Sequence, residues 1–221
     1  MLLHETEHFY LLNKPCGIAV NDEADSKGLV SLFCKQQGIE KAHPVHRLDK
    51  ATSGLLLVAK TSQANSLLSQ CFEKKTIEKR YLAIVHYKAG AKPKKKGGWV
   101  KGDMKPSRSG NWKLCPTMEN PAQTQFVSWP LGERRRLCLL KPYTGKTHQL
   151  RVAMKALSSP IVGDERYGGQ QADRLYLHAY SLEFELLGTP YYFHLWPNSG
   201  ALFQTETVAA FNNKASLRAA L

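Results

Sequence analysis

Strand-like segments follow one another along this 221-residue chain with too few helices between them to join them all in parallel. Apolar, β-branched and aromatic runs occupy 8–14 ("HFYLLNK"), 55–59, 79–87, 124–129, 136–141, 175–187 and 191–196. Helical spacing is confined to three places. These are 28–38 (Leu29, Leu32, Phe33), a helix capped by Ser62 (Leu67, Leu68, Cys71, Phe72), and 145–157 (Leu150, Met154, Leu157). Parallel neighbours need a crossover of about a dozen residues, usually a helix, whereas antiparallel neighbours need only a turn. The expected class is therefore α+β, with a mixed, largely antiparallel central sheet flanked by helices and loops. A chain of this length, 43% hydrophobic, can bury the core of one domain spanning 1–221.

Charge narrows the class of partner. Lysine and arginine number 31 against 18 aspartates and glutamates, a formal charge of +13, and such an excess suits a polyanion. Residues 73–113 hold 13 basic and three acidic side chains, a net of +10. Most charge runs are solvated surface, but one this concentrated also fits a binding face. Within it, 89–110 reads as a basic insertion loop. No apolar run approaches the roughly 20 residues needed to cross a bilayer, and the N-terminus lacks a basic segment followed by an apolar one. A cytoplasmic protein without a membrane partner is expected. The five cysteines (Cys16, Cys34, Cys71, Cys115, Cys138) form no C-x-x-C pair, which reads as reduced packing residues and no metal site.

The stretch 43–60, "HPVHRLDKATSGLLLVAK", places His46, Arg47 and Asp49 directly before an apolar run. A short buried strand is a rigid platform, and polar groups at its end can be held in fixed geometry. Asp49 is accordingly a candidate for chemistry. The plain alternative is a turn, since D-x-x-T-S-G is ordinary loop composition. A kinase catalytic loop is excluded because Leu48 separates Arg47 from Asp49 and no asparagine stands at the required offset.

A second polar cluster, "PYTGKTHQLR" at 142–151, contains Gly-Lys-Thr, but the glycine that a phosphate loop needs five residues earlier is Leu140. His148 and Arg151 lie three apart at a helix start, hence on one face, where main-chain amides favour anions. Taken alone, Arg151 reads as an exposed helical arginine.

Together these segments carry a resemblance. "HRLDKATSGLLLVAK", followed in order by "KRYLAIV", "LKPYTGKTHQLRVAM", "VGDERYGG" and "LHAY", resembles the RluA-type pseudouridine synthases from about the first strand to Trp196. The resemblance implies the pseudouridine synthase fold and an RNA-modifying isomerase that needs no cofactor or metal. It implies that Asp49 is the essential carboxylate, Tyr81 the tyrosine that stacks on the target base, and Arg151 the arginine that pairs with the aspartate. Arg47 resembles the arginine that fills the space left by a flipped nucleotide. RNA contacts are expected from Arg47, His46, Lys94, Lys95, Lys96, Trp99, Lys101 and His148, with 92–108 a mobile loop over the RNA backbone. The partner is expected to be a ribosomal or transfer RNA stem-loop, bound by a monomer without the S4 domain that many relatives carry. The alternative from another class is an RNA-binding or RNA-remodelling protein that keeps the fold without isomerisation.

Overall fold

The computed structural model describes residues 1–88 and 96–212. In chain order the elements are β1 (Leu2–Glu5), β2 (Phe9–Lys14), α1 (Leu29–Gln37), β3 (His43–Pro44), β4 (Ser53–Ala59), α2 (Ser62–Glu73) and β5 (Glu78–His86). They continue with β6 (Gly97–Pro106), β7 (Trp112–Cys115), β8 (Ala122–Gly132), β9 (Arg135–Pro142), α3 (Gln149–Ala156), β10 (Leu177–Leu186), β11 (Thr189–His194) and α4 (Glu206–Ala209). Each pairing given below is antiparallel, in keeping with the α+β class that the sequence suggests. The described residues fall into two compact units, Met1–Lys79 with Ala179–Leu195 and Arg80–His178 with the chain from Trp196 onwards.

In the first unit β2 pairs with β4 and with β1, and β10 pairs with β11. All seven residues of β4 are buried because both of its faces are covered. Leu55, Leu57 and Ala59 alternate into a cluster with Phe9, Leu11, Ala64 and Leu68, the last two from α2. On the other face Tyr10 and Leu12 stand opposite Val58 and Leu56, and Tyr10 packs edge-on against Phe33 of α1 at 4.9 Å. Burying one such aliphatic side chain stabilises by about 1.5–3 kcal/mol, so this strand is a firm base for what precedes it. At its start Gly54 has φ +114°, and a Cβ there would lie 2.3 Å from the Ala179 carbonyl oxygen, so β10 can approach only a glycine.

In the second unit the strand order β5, β9, β8, β6, β7 is built from successive antiparallel pairs. α3 is pinned to this sheet by Gln149, whose Nε2 donates to the Gln123 carbonyl and to Thr124 Oγ1, both at 3.0 Å.

Two local expectations are corrected. The helix at 62–73 is capped by Thr61, not Ser62: the Thr61 hydroxyl accepts from the Ala64 amide at 3.1 Å. The insertion read as a loop over 89–110 is a ten-residue strand from Gly97, paired with β8 and then with β7. Its glycines lower strand propensity, but Gly102 is needed where the ladders meet: a Cβ there would stand 2.3 Å from the Cys115 carbonyl oxygen. The first part of that expected loop, 89–95, lies outside the described residues.

Candidate active site

The segment carrying Asp49 is fixed to the first unit through its main chain. His43 and Pro44 pair with Ala59 and Val58, and Leu48 is buried. The turn that follows is closed by the Thr52 amide donating to the Asp49 carbonyl at 2.9 Å. Lys14, fully buried at the end of β2, extends its amine beneath this turn and donates to the carbonyls of Thr52 (2.7 Å), Pro15 (2.9 Å) and Lys50 (3.0 Å). The Gly17 amide also donates to the Lys50 carbonyl, at 2.9 Å. The carbonyls of Asp49, Lys50 and Thr52 are thus all occupied, which holds the main chain of the turn that follows Asp49. Asp49 itself is half-buried and Arg47 is exposed.

His46 is placed otherwise than the RNA-contact expectation assumes. Its Nε2 accepts from the Leu57 amide of β4 at 3.0 Å, and its ring stacks on Phe72 of α2 at 4.8 Å and 24°. Burial, assisted by the charge of Lys79, lowers its pKa to about 3, so near neutrality the imidazole carries no charge to offer a phosphate. His46 anchors the segment that Arg47 and Asp49 extend from.

Arg151 is fixed through its side chain. From α3 it forms a two-pronged pair with Asp164, Nε to Oδ2 at 2.9 Å and Nη2 to Oδ1 at 2.8 Å. Both residues are buried, and Asp164 also accepts from the Tyr167 amide at 3.2 Å. The guanidinium lies over the Tyr167 ring, 5.0 Å from its centroid. The Tyr167 hydroxyl accepts from the Trp112 amide at 3.1 Å and meets His148 Nδ1 at 2.9 Å. Burial raises the pKa of Tyr167, which keeps it a neutral hydroxyl. His148 and Arg151 do share a face, as their spacing suggests, and they meet on Tyr167. Asp164 and Tyr167 stand in "VGDERYGG", to which sequence reasoning gave no role. The signal was that this segment, a carboxylate and an aromatic without strand or helix periodicity, is one of the motifs that carry the family resemblance.

Strand register sorts the remaining candidates by face. The row Tyr81, Leu140, Phe126, Gly98 crosses four strands, and the next row contains Lys141, Gln125 and Trp99. Side chains in adjacent rows point to opposite faces. Tyr81 is on the face that α3 covers through Thr124, so it shares a side with Arg151's helix. Trp99 and Lys101 are on the opposite face. Lys96 follows the described gap and accepts through its carbonyl from the Ser128 amide and hydroxyl, both at 2.8 Å. Lys94 and Lys95 lie outside the described residues. All five cysteine thiols are free, and burial pushes that of Cys138 up to about 12. Among the described residues no three His, Cys, Asp or Glu side chains are grouped to hold a metal ion.

The sequence model described as RNA pseudouridylate synthase matches residues 8–156, and the chain belongs to that family of RNA pseudouridine synthases. It is 44% identical over 209 residues to an "uncharacterized RNA pseudouridine synthase" of Haemophilus influenzae, covering 94% of this chain and 92% of that one. It is 35% identical over 191 residues to the dual-specificity RNA pseudouridine synthase RluA of Salmonella typhi, covering 81% and 84% of the two chains. Against the ribosomal large subunit pseudouridine synthase C of Vibrio parahaemolyticus, at 31% identity, it spans only 61% of the relative's length. Among solved structures it is similar to human RNA pseudouridylate synthase domain containing 1, with a TM-score of 0.73 at 25% identity over 89% of this chain and 82% of that one.

Proposed function

We propose that the protein isomerises selected uridines in a structured ribosomal or transfer RNA to pseudouridine, with one catalytic domain acting as a monomer in the cytoplasm. In the reaction the bond from N1 to C1′ breaks, a bond from C5 to C1′ forms, and the proton lost from C5 is balanced by one gained at N1. The atoms balance within the nucleotide, so no external oxidant or reductant enters. C1′ and C5 are inaccessible in a stacked helix, so the uridine is flipped out, at a cost of about a few kcal/mol. Asp49 supplies the essential carboxylate, either by attack on C1′ or by proton transfer toward a glycal. Tyr81 stacks on the flipped base, Arg47 fills the space it leaves, and Arg151 is assigned as the cationic partner of the carboxylate. Lys94, Lys95, Lys96 and Lys101 are assigned to phosphates. The observation that carries this reading is the family match over residues 8–156, which encloses Asp49, Tyr81 and Arg151. The names of the relatives point to ribosomal RNA and to more than one RNA target.

A pseudouridine map of total RNA from cells with and without the gene tests the proposal and identifies the substrate. At least one pseudouridine should disappear without the gene and return with it. Identical maps, together with RNA binding by the purified protein, would favour the non-catalytic RNA-binding reading.

A further inference from the structure

The face of the second unit's sheet opposite Tyr81 bears an exposed patch of aromatic and basic side chains. Trp99 and Tyr143 retain 39% and 37% of their surface, and their rings meet at 4.8 Å with a 37° tilt. The Lys101 ammonium lies 4.4 Å from the Trp99 centroid, and that of Lys141 lies 5.3 Å from the Tyr143 centroid. Tyr143 is steadied by its hydroxyl donating to Gln125 Oε1 at 2.9 Å, and its amide donates to the Gln123 carbonyl at 2.9 Å. Register puts Trp99, Gln125 and Lys141 in one row, with Lys101 opposite Gln123 beyond it. The strands thus hold the rings in place. The charged side chains seated on these rings are lysines, in a chain of formal charge +13, which suits a polyanion.

We infer that this face is a second RNA-contact surface, a stacking platform for an unpaired segment of the same RNA whose uridine is modified. The inference rests on the substrate being RNA, as proposed above. A base that stacks on Trp99 displaces the Lys101 ammonium from the ring, and the freed ammonium can meet the adjoining phosphate. Stacking on an aromatic ring tolerates any base and requires an unpaired one, so the platform prefers single strands to duplex. The insertion between β5 and β6 therefore leads into a built surface on the non-catalytic side of the sheet.

The test uses the full chain with two fluorescein-labelled probes, an oligouridylate and a blunt RNA duplex, each about 12 nucleotides long to match the reach of one stacking site. Trp99→Ala should weaken oligouridylate binding about 5- to 150-fold, from about 1–3 kcal/mol per stacked base. Trp99→Phe, which keeps a ring, should recover most of that loss, and duplex binding should change less. Lys101→Gln should lower the salt slope on the oligouridylate by about 0.7. In the unaltered protein, oligouridylate should quench the part of the emission that Trp99→Phe removes, a reading independent of how the alanine variant folds. Unchanged affinity in Trp99→Ala, equal losses on both probes, or no quenching would each overturn the platform. Pseudouridine formation by the unaltered protein is scored in parallel. If it occurs while Trp99→Ala binds normally, only the platform fails. If it never occurs while Trp99→Ala loses binding, the platform stands and the isomerase reading fails.

Discussion

In the first unit Asp49 sits on a backbone gripped through its carbonyls, whereas in the second unit Arg151 is gripped through the atoms of its own side chain. Lys14, Gly17 and Thr52 bond the main chain around Asp49, and His46 and Leu48 tie down the residues before it. Arg151 instead spends Nε and Nη2 on Asp164 and lays its plane on Tyr167. The difference is chemical. A turn can be held by donors to its carbonyl oxygens, as around Asp49, while a guanidinium with five donors can be locked on one edge by a carboxylate and stacked on a ring, as Arg151 is. An isosteric change at Asp49 leaves the bonds to the surrounding carbonyls in place, so it should cost chemistry more than stability. Removing what holds Arg151 should cost both.

The largest effect is expected at Asp49. Asp49→Asn preserves shape and removes the ionisable group, so pseudouridine formation should fall to background while RNA affinity stays within a few-fold and the melting temperature hardly moves. Near-normal turnover in this variant would show that no carboxylate is essential there. At Asp164 the loss should be structural first. Asp164→Asn leaves the buried Arg151 charge without its two-pronged partner, and breaking such a pair costs about 3–5 kcal/mol. Denaturant unfolding should show that loss, with activity falling alongside it. An Asp164→Asn protein as stable as the parent would remove the contrast between the two units.

A smaller effect is expected at Lys14. Lys14→Met keeps the length of the side chain and withdraws the donor from three carbonyls, an expected cost of about 1–3 kcal/mol. Because two of those carbonyls, Lys50 and Thr52, lie in the turn after Asp49, turnover on saturating RNA should fall while KM stays near its parent value. Unchanged turnover would mean that the grip serves folding alone.

Legibility in the sequence follows the same divide. The buried strands 9–14, 53–59, 78–86 and 135–142 and the three longer helices were readable because side-chain periodicity is set by which face is buried. β6 was not, since Gly97, Gly98, Gly102 and Pro106 carry loop composition and the ladder comes from β8, far along the chain. Of the site, the strand end after Asp49 was legible because the apolar run declares itself. The Arg151 clamp was hidden because Asp164 means something only once α3 places an arginine against it. Lys14 was hidden too, since a lysine that closes an apolar strand reads as a strand end and its carbonyl partners are a property of the folded turn.

His46 offers the smallest effect at pH 7, and the one whose sign depends most directly on burial. Its folded pKa, about 3, is depressed below the ordinary value of 6.5, because burial and the charge of Lys79 both disfavour the imidazolium. Between those two values the unfolded chain binds a proton that the folded chain refuses. The unfolded state then holds more protons, so stability must rise with pH across that window and be lost as pH falls from 6.5 towards 3. His46→Phe keeps a ring to stack on Phe72 and removes the titration, at the cost of the acceptor for the Leu57 amide, about 1 kcal/mol at pH 7. Denaturant unfolding at a series of pH values should give the parent the steeper acid loss, by at most about 1.4 kcal/mol per pH unit, so the two curves should meet about one unit below pH 6.5 and the variant should be the more stable at lower pH. Parallel curves would mean that His46 accepts a proton in the folded state. The histidine would then carry charge beside Arg47 and Asp49, and the segment would answer to pH through that imidazole.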